Sequence, residues 1–230
     1  IATAIGNAEA RGEVERLAEE QAALRRVAVL VAQQPSPSEV FTAVTQAVGL
    51  VLGADLAGLN VFEGDATTTI AGWSGDGGPI PPIGSRFALH GDSVVARIFE
   101  TGAPARIDSY AEAEGGIADL AQRFRVRSAV GAPILVEGKL WGALTAATRG
   151  VEPWAENSET RMAAFTELVA TAIANAESRE AVGRLADEQA ALRRVATLVA
   201  QGVQPVEIFS AVSEEVGRVV GSNMAAIVSF

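Results

Sequence analysis

The chain has 230 residues, 49% of them apolar, with 18 basic and 28 acidic side chains and a net charge of −10. That length and apolar share suffice for a packed core and exclude a disordered chain. The acidic balance argues against nucleic acid as a partner, since holding a phosphate backbone needs clustered Lys and Arg. Cysteine is absent, which excludes disulfides, thiolate metal sites, thiol nucleophiles and thioether-linked pigments, and fits a reducing, cytoplasmic setting.

Charge or glycine breaks every apolar run well short of a bilayer span, so no membrane insertion is expected. The first predicted element is a helix ending near Gln34. In it Val14, Leu17, Gln21, Leu24, Ala28 and Val31 alternate at three and four residues, the spacing of a coiled-coil seam whose polar Gln21 would fix register. Ser36, Pro37 and Glu39 then supply an N-cap, a proline at the first helical position and a capping-box acid. The helix they open carries Val40, Phe41, Val44, Val48, Val51 and Leu52 and stops at Gly53. Residues 55–62 and 67–73 read as a hairpin turned at Glu63–Gly64–Asp65.

A Gly/Pro-rich loop (75–84) follows, and Asp92 is placed to cap a short helix that Thr101–Gly102 ends. Residues 103–110 read as a short strand and the region near 117–124 as a helix. Residues 127–149 are the clearest hairpin, turned at Glu137–Gly138. After Pro153–Trp154 a long helix capped by Asn157 or Ser158 runs toward Gln201, about 65 Å at 1.5 Å per residue. Its first part, with Met162, Phe165, Leu168, Val169 and Ile173, suits packing on a domain; Val182, Leu185, Gln189, Leu192, Ala196 and Val199 repeat the seam. Such a stripe needs a partner, so a homodimer or higher assembly through these helices is expected.

Residues 1–62 recur without a gap as 169–230, at a constant offset of 168. EVERLAEEQAALRRVAVLVAQ (13–33) returns as AVGRLADEQAALRRVATLVAQ (181–201), and EVFTAV (39–44) as EIFSAV (207–212). A fixed period marks a tandem array of domain-sized units. The expected organisation is a linker helix of a preceding repeat at 1–34, a complete domain at 35–176, a linker helix at 177–202, and the first helix and strand of a following, truncated repeat at 203–230. A parent with at least three copies is implied, and 203–230 is expected to be poorly ordered, pressed on another chain or completed by other copies.

The order of elements, the segment GDSV (91–94), the strand ARIDSY (105–110) and above all SAVGAPILVEGKLWGALTA (128–146) resemble a GAF domain. The likeness is to the tandem GAF regions of actinobacterial sensor histidine kinases and related signalling proteins. It implies an α+β fold: a central, mostly antiparallel sheet, helices from both chain ends on one face, a ligand pocket on the other, and long coiled-coil-like helices entering and leaving. It also implies a sensory role and dimers formed through terminal helices.

Activities of the superfamily that need cysteine have no residues here. The glycine loop lacks the Lys-Ser/Thr ending of a P-loop. His90 is the only imidazole, so no triad and no multi-histidine metal site can form within one chain. Haem ligation by His90, as in a few GAF sensors, ranks below a solvent-facing histidine. Glu112 and Glu114 read as a solvated loop. There remains a pocket for a small molecule of unknown identity, with no cofactor assigned. Its expected lining is Trp73, Phe87, Tyr110, Phe124, Ser128 and Trp141, with Arg106 and Arg127 as anion handles. Two readings stay open: a non-catalytic sensory module relaying ligand state through dimeric helices to an effector domain outside the chain, and an architectural rod of repeats that senses nothing.

Overall fold

The computed structural model describes residues 2–202 and, beyond them, residues 204, 210, 212 and 213. The expectation of a partial repeat at 203–230 otherwise lies outside the described residues. The elements are α1 (Ala2–Ala32), α2 (Pro37–Leu52), β1 (Leu56–Glu63), β2 (Ala66–Ser74), β3 (Arg86–Ala88), α3 (Val94–Thr101), β4 (Ala105–Ile107), α4 (Gly116–Arg123), β5 (Ser128–Val136), β6 (Lys139–Thr148) and α5 (Ser158–Ala200). Two units divide between Ala176 and Glu177, inside α5.

In the first unit six strands form one antiparallel sheet in the order β3-β2-β1-β6-β5-β4. Local chemistry sets the boundaries of its helices. The Ser36 N–H donates to Glu39 Oε2 at 2.9 Å, the return half of a capping box, and Gly53 closes α2 in the left-handed region at φ 63°. At α3 the cap is Ser93, not Asp92: its hydroxyl accepts from Ala96 N at 3.0 Å, while Asp92 pairs with Arg97. β5 and β6 turn at Glu137 and Gly138, φ 50° and 77°, the two positive values a tight right-twisting hairpin demands. The short edge strand β3 follows the Gly/Pro-rich loop of 75–84, in a stretch to which the sequence reading assigns no element.

Side chains alternate across the sheet, so each strand feeds two cores. On one face Leu59, Val130, Ile134 and Leu144 pack with Val44 and Val48 of α2, Met162, Phe165 and Val169 of α5, and Ala23, Val27 and Val31 of α1. Phe165, Leu59, Ile134, Leu144 and Met162 are fully buried there, each contributing about 1.5–3 kcal/mol relative to exposure. Arg161 of α5 ties this layer together: Nε donates to Glu20 Oε2 of α1 at 2.6 Å and Nη2 to the Val51 carbonyl of α2 at 3.0 Å. On the other face Val94 and Ile98 of α3 and Ala118 and Ala121 of α4 cover Ala129 and Ala143. Gly131 lets α3 approach, since a Cβ there would lie 2.6 Å from Val94 and 2.8 Å from Ile98.

The anticipated seam of α1 is divided. Val31 is buried in the core and Leu24 packs against it, whereas Val14, Leu17, Gln21 and Ala28 are exposed. On α5, Val182, Leu185, Gln189 and Leu192 are exposed as well.

Gly49 sits under the Trp73 ring: a Cβ would meet the indole at 2.1 Å. Gly49→Ala is expected to lower stability by about 1–3 kcal/mol through overpacking, although alanine favours a helix by about 1 kcal/mol. Urea denaturation measures the balance, and an unchanged or raised midpoint would refute this packing.

Candidate functional site

Alanines, glycines and threonines dominate the sheet where α3 and α4 cover it, and such short side chains cannot fill the space under two short helices. A cavity of about 130 Å³ remains. Leu56, Gly58 and Asn60 of β1, Thr67, Thr69 and Gly72 of β2, and Thr145 and Ala147 of β6 form its floor. Val94 and Val95 of α3, and Ile117, Leu120 and Ala121 of α4 with Phe124 just beyond it, form the roof. Phe87 of β3, Pro81 and Tyr110 close the sides.

Its polar groups are few and mostly committed. Thr69 Oγ1 donates to Asn60 Oδ1 at 3.0 Å, Thr67 Oγ1 to the Val61 carbonyl at 3.0 Å, and Thr145 Oγ1 to the Gly58 carbonyl at 3.2 Å. The Val94 N–H, first of α3, donates to the Tyr110 hydroxyl at 3.2 Å. Burial above all pushes the Tyr110 phenol above its ordinary pKa, so it stays neutral.

The roof is clamped from outside. Arg149, just after β6, donates from Nε to the Phe124 carbonyl at 3.1 Å and from Nη1 to Asp76 Oδ2 at 2.9 Å. Asp76 also accepts from Ser74 Oγ at 2.6 Å and Gly78 N at 2.9 Å. These bonds, Ser74's first, hold its carboxyl at a pKa of about 2.

Of the expected lining, Phe87, Tyr110 and Phe124 stand on the cavity wall. The other five do not. Trp73 and Trp141 are turned away by β-bulges. Leu59 pairs with Ala71 and Asn60 with Thr69, leaving Ile70 unpaired. The alternation inverts there, and Trp73 lands against α2. In β6, Gly142 pairs with Ile134 and Leu140 with Leu135, so Trp141 is the unpaired residue; its ring packs on Phe41 at 5.9 Å. Ser128 shares the alternation of Val130 and Ala132 and so belongs to the opposite face.

Arg106 is not an anion handle, because it is already paired. Nε and Nη2 hold both Glu159 oxygens at 2.7 and 2.8 Å, and Nη1 and Nη2 reach the Trp154 and Ala155 carbonyls at 3.2 and 2.7 Å. Burial works to raise the Glu159 pKa, but hydrogen bonds led by Arg106's bring it below the ordinary value. Arg127 is exposed and off the wall, joined to Tyr110 only through its carbonyl, which accepts the Tyr110 N–H at 2.8 Å. His90 is exposed and also off the wall, which leaves the haem reading without geometry here. Among the described residues no group of three or more His, Cys, Asp or Glu is placed to hold a metal, and no helix is long and apolar enough to cross a membrane.

The polar floor residues Asn60, Thr67, Thr69 and Thr145 were not foreseen. The available signal was parity: Asn60 alternates with Gly58 along β1, and Thr67 and Thr69 share one parity of β2 ahead of its bulge.

Because Asp76 titrates lower when folded than its ordinary 3.8, its contribution is fully present above about pH 4 and is lost as pH falls toward 2. Urea midpoints of the wild type and Asp76→Asn are therefore expected to differ by a constant amount at neutral pH and to converge across that window. Profiles that stay parallel down to pH 2 would show that the Arg149 clamp does not depend on the Asp76 charge.

A family profile described as GAF domain matches residues 36–173. Similar solved structures include the phycocyanobilin-bound GAF domain of a cyanobacterial phytochrome, 20% identical with a TM-score of 0.58 over 70% of this chain and 96% of that one. The GAF domain of a phosphoenolpyruvate-protein phosphotransferase from Coxiella burnetii is 19% identical with a TM-score of 0.59 over 71% and 97%. The photosensory core module of Stigmatella aurantiaca phytochrome is 14% identical with a TM-score of 0.67 over 89% of this chain and 46% of that one. No curated protein matches the chain. At such identities the structural likenesses speak for the fold; the family rests on the profile, which spans more than half of the sequence. Sheet order, two-sided helical cover and profile agree: the chain belongs to the GAF domain family.

Proposed function

We propose that this chain is a non-catalytic regulatory GAF module, one repeat of a tandem array, that binds a small molecule beneath α3 and α4. It relays the bound state through its terminal helices to an effector outside the chain. GAF domains are commonly ligand-binding sensory modules of signalling proteins, and the observation that carries the reading here is the cavity itself. Small-molecule sites are clefts of this kind, mostly apolar with a few polar groups on the wall.

The relay is supported by the pairing at the start of α5. Glu159 is held by Arg106 of β4, the strand that leads to Tyr110, and Arg161 is held by Glu20 of α1. A ligand moves this layer only if it binds one arrangement more tightly than another. The phycocyanobilin of the cyanobacterial neighbour is not carried over as a thioether-linked pigment, since this chain has no cysteine.

The dimeric part of the proposal rests on Val14, Leu17, Val182, Leu185 and Leu192, which are 50–71% exposed and are apolar at heptad spacing. With no native thiols, Leu17→Cys and Leu185→Cys are unambiguous probes. Each is expected to cross-link chain to chain with a short bismaleimide at micromolar concentration; monomers throughout would remove the dimer.

Sensing is tested by a thermal-shift screen of small metabolites, with backbone hydrogen exchange on each hit. A ligand raises apparent stability by mass action, and in this scheme it also slows exchange in α1 near residues 20–31 and in the first turns of α5. Hits that protect only the cavity would leave binding and abolish the relay; no hit at all would favour the architectural rod.

A further inference from the structure

The cavity has a chemical character that narrows what it holds. No lining residue carries a charge. Of the arginines around it, Arg106 is spent on Glu159 and Arg149 on Asp76 and the Phe124 carbonyl, while Arg123, Arg125 and Arg127 are exposed and off the lining. An ionised ligand would have to shed its water with nothing to replace it, a cost that apolar burial does not offset.

Two donors are left over. The Tyr110 hydroxyl accepts the Val94 N–H, and its own proton has no acceptor among the described residues. Asn60 is 9% exposed, and its Oδ1 is taken by Thr69, but Nδ2 donates to nothing among the described residues. Nδ2 lies beside Gly58, where a Cβ would make ordinary contact with it at 3.8 Å, and both residues line the cavity. The three threonine hydroxyls already donate to protein acceptors. A donor that faces the cavity with no acceptor in the protein is met there by water or by an acceptor that a ligand supplies, and a ligand lacking one forfeits that bond.

We infer, resting on the reading above that this cavity is a ligand site, that it takes an uncharged, mostly apolar molecule presenting a carbonyl-type acceptor to Asn60 Nδ2. Size limits the class further. At about 130 Å³ the cavity is close to the void of roughly 150 Å³ that accepts benzene in an engineered core, so the buried part is about one ring.

Three probes of nearly one shape separate the terms: acetophenone, α-methylstyrene, in which CH2 replaces the carbonyl oxygen, and benzoate, in which a charge is added. Each is titrated into the full 230-residue chain and followed by backbone amide shifts of β1 and α4, in the wild type and in Asn60→Leu. Acetophenone is expected to bind about fivefold more tightly than α-methylstyrene, the worth of one net hydrogen bond, and benzoate to give no saturable shift. In Asn60→Leu the acetophenone preference falls to about one. Should that variant not fold, the order of the three probes on the wild type decides.

Equal affinity for acetophenone and α-methylstyrene would overturn the role of Asn60. Benzoate as the tightest probe would overturn the uncharged class while leaving the cavity a ligand site. If none of the three moves the cavity amides, the ligand-site reading falls together with this inference.

Discussion

A six-stranded sheet needs cover on both faces, and in this unit the two covers are unequal. One face lies under α2 and the long helices α1 and α5, whose Val, Phe and Met side chains are buried against it. The other lies under two helices of eight residues each, above strands built from alanine, glycine and threonine. Short helices can bury little area, and small strand residues can fill little depth, so the second face closes over a void. Both cores hang on the same strands, which means that a displacement in one is felt as a tilt of the backbone carrying the other.

What pins the second face is a set of polar fastenings at its rim. Arg97 donates to the Arg106 carbonyl at 2.8 Å and pairs with Asp92, fixing α3 to β4. Arg149 holds the C-terminal end of α4, and Tyr110 meets the first N–H of α3. Exposed ion pairs contribute little singly, on the order of 0–1 kcal/mol. Here several converge on carbonyls and helix ends whose partners would otherwise be missing, so their effect is to set position. In α3 packing joins these fastenings, since Val94 and Ile98 are fully buried against the sheet.

The sequence carried most of the scaffold in plain form. Ser36, Glu39 and Gly53 bound α2, Glu137–Gly138 marked the clearest hairpin, and the recurrence of 13–33 at 181–201 marked the sequence that α1 and α5 share. The site was less legible, and the reason is parity. Trp73 and Trp141 sit at positions where strict alternation points toward Thr69 and Thr145, and each strand spends one extra residue before its tryptophan is reached or at it. A bulge costs one residue and reverses every side chain beyond it, and nothing in the composition of ATTTIAGW or GKLWGAL announces it. Phe87, Tyr110 and Phe124 escaped this error because they lie in short or irregular segments where no long alternation accumulates.

Arginine was misjudged for a different reason. A guanidinium near a predicted pocket suggests an anion, yet its fork satisfies a carboxylate and two carbonyls at once, and Arg106 does this with Glu159, Trp154 and Ala155. The partner lies 53 residues away, beyond the reach of local pattern. That engagement makes Arg106 more consequential than as a ligand contact. β4 is only three residues long, and its far end leads to Tyr110 on the cavity wall. Its middle residue, Arg106, grips the first turn of α5, where Arg161, two residues after Glu159, grips α1 and α2. In the proposed relay a molecule pressing on Tyr110 therefore acts on a short, stiff strand anchored to the one helical turn that contacts every long helix of the unit. A longer or better-packed β4 would dissipate the same push into its own neighbours.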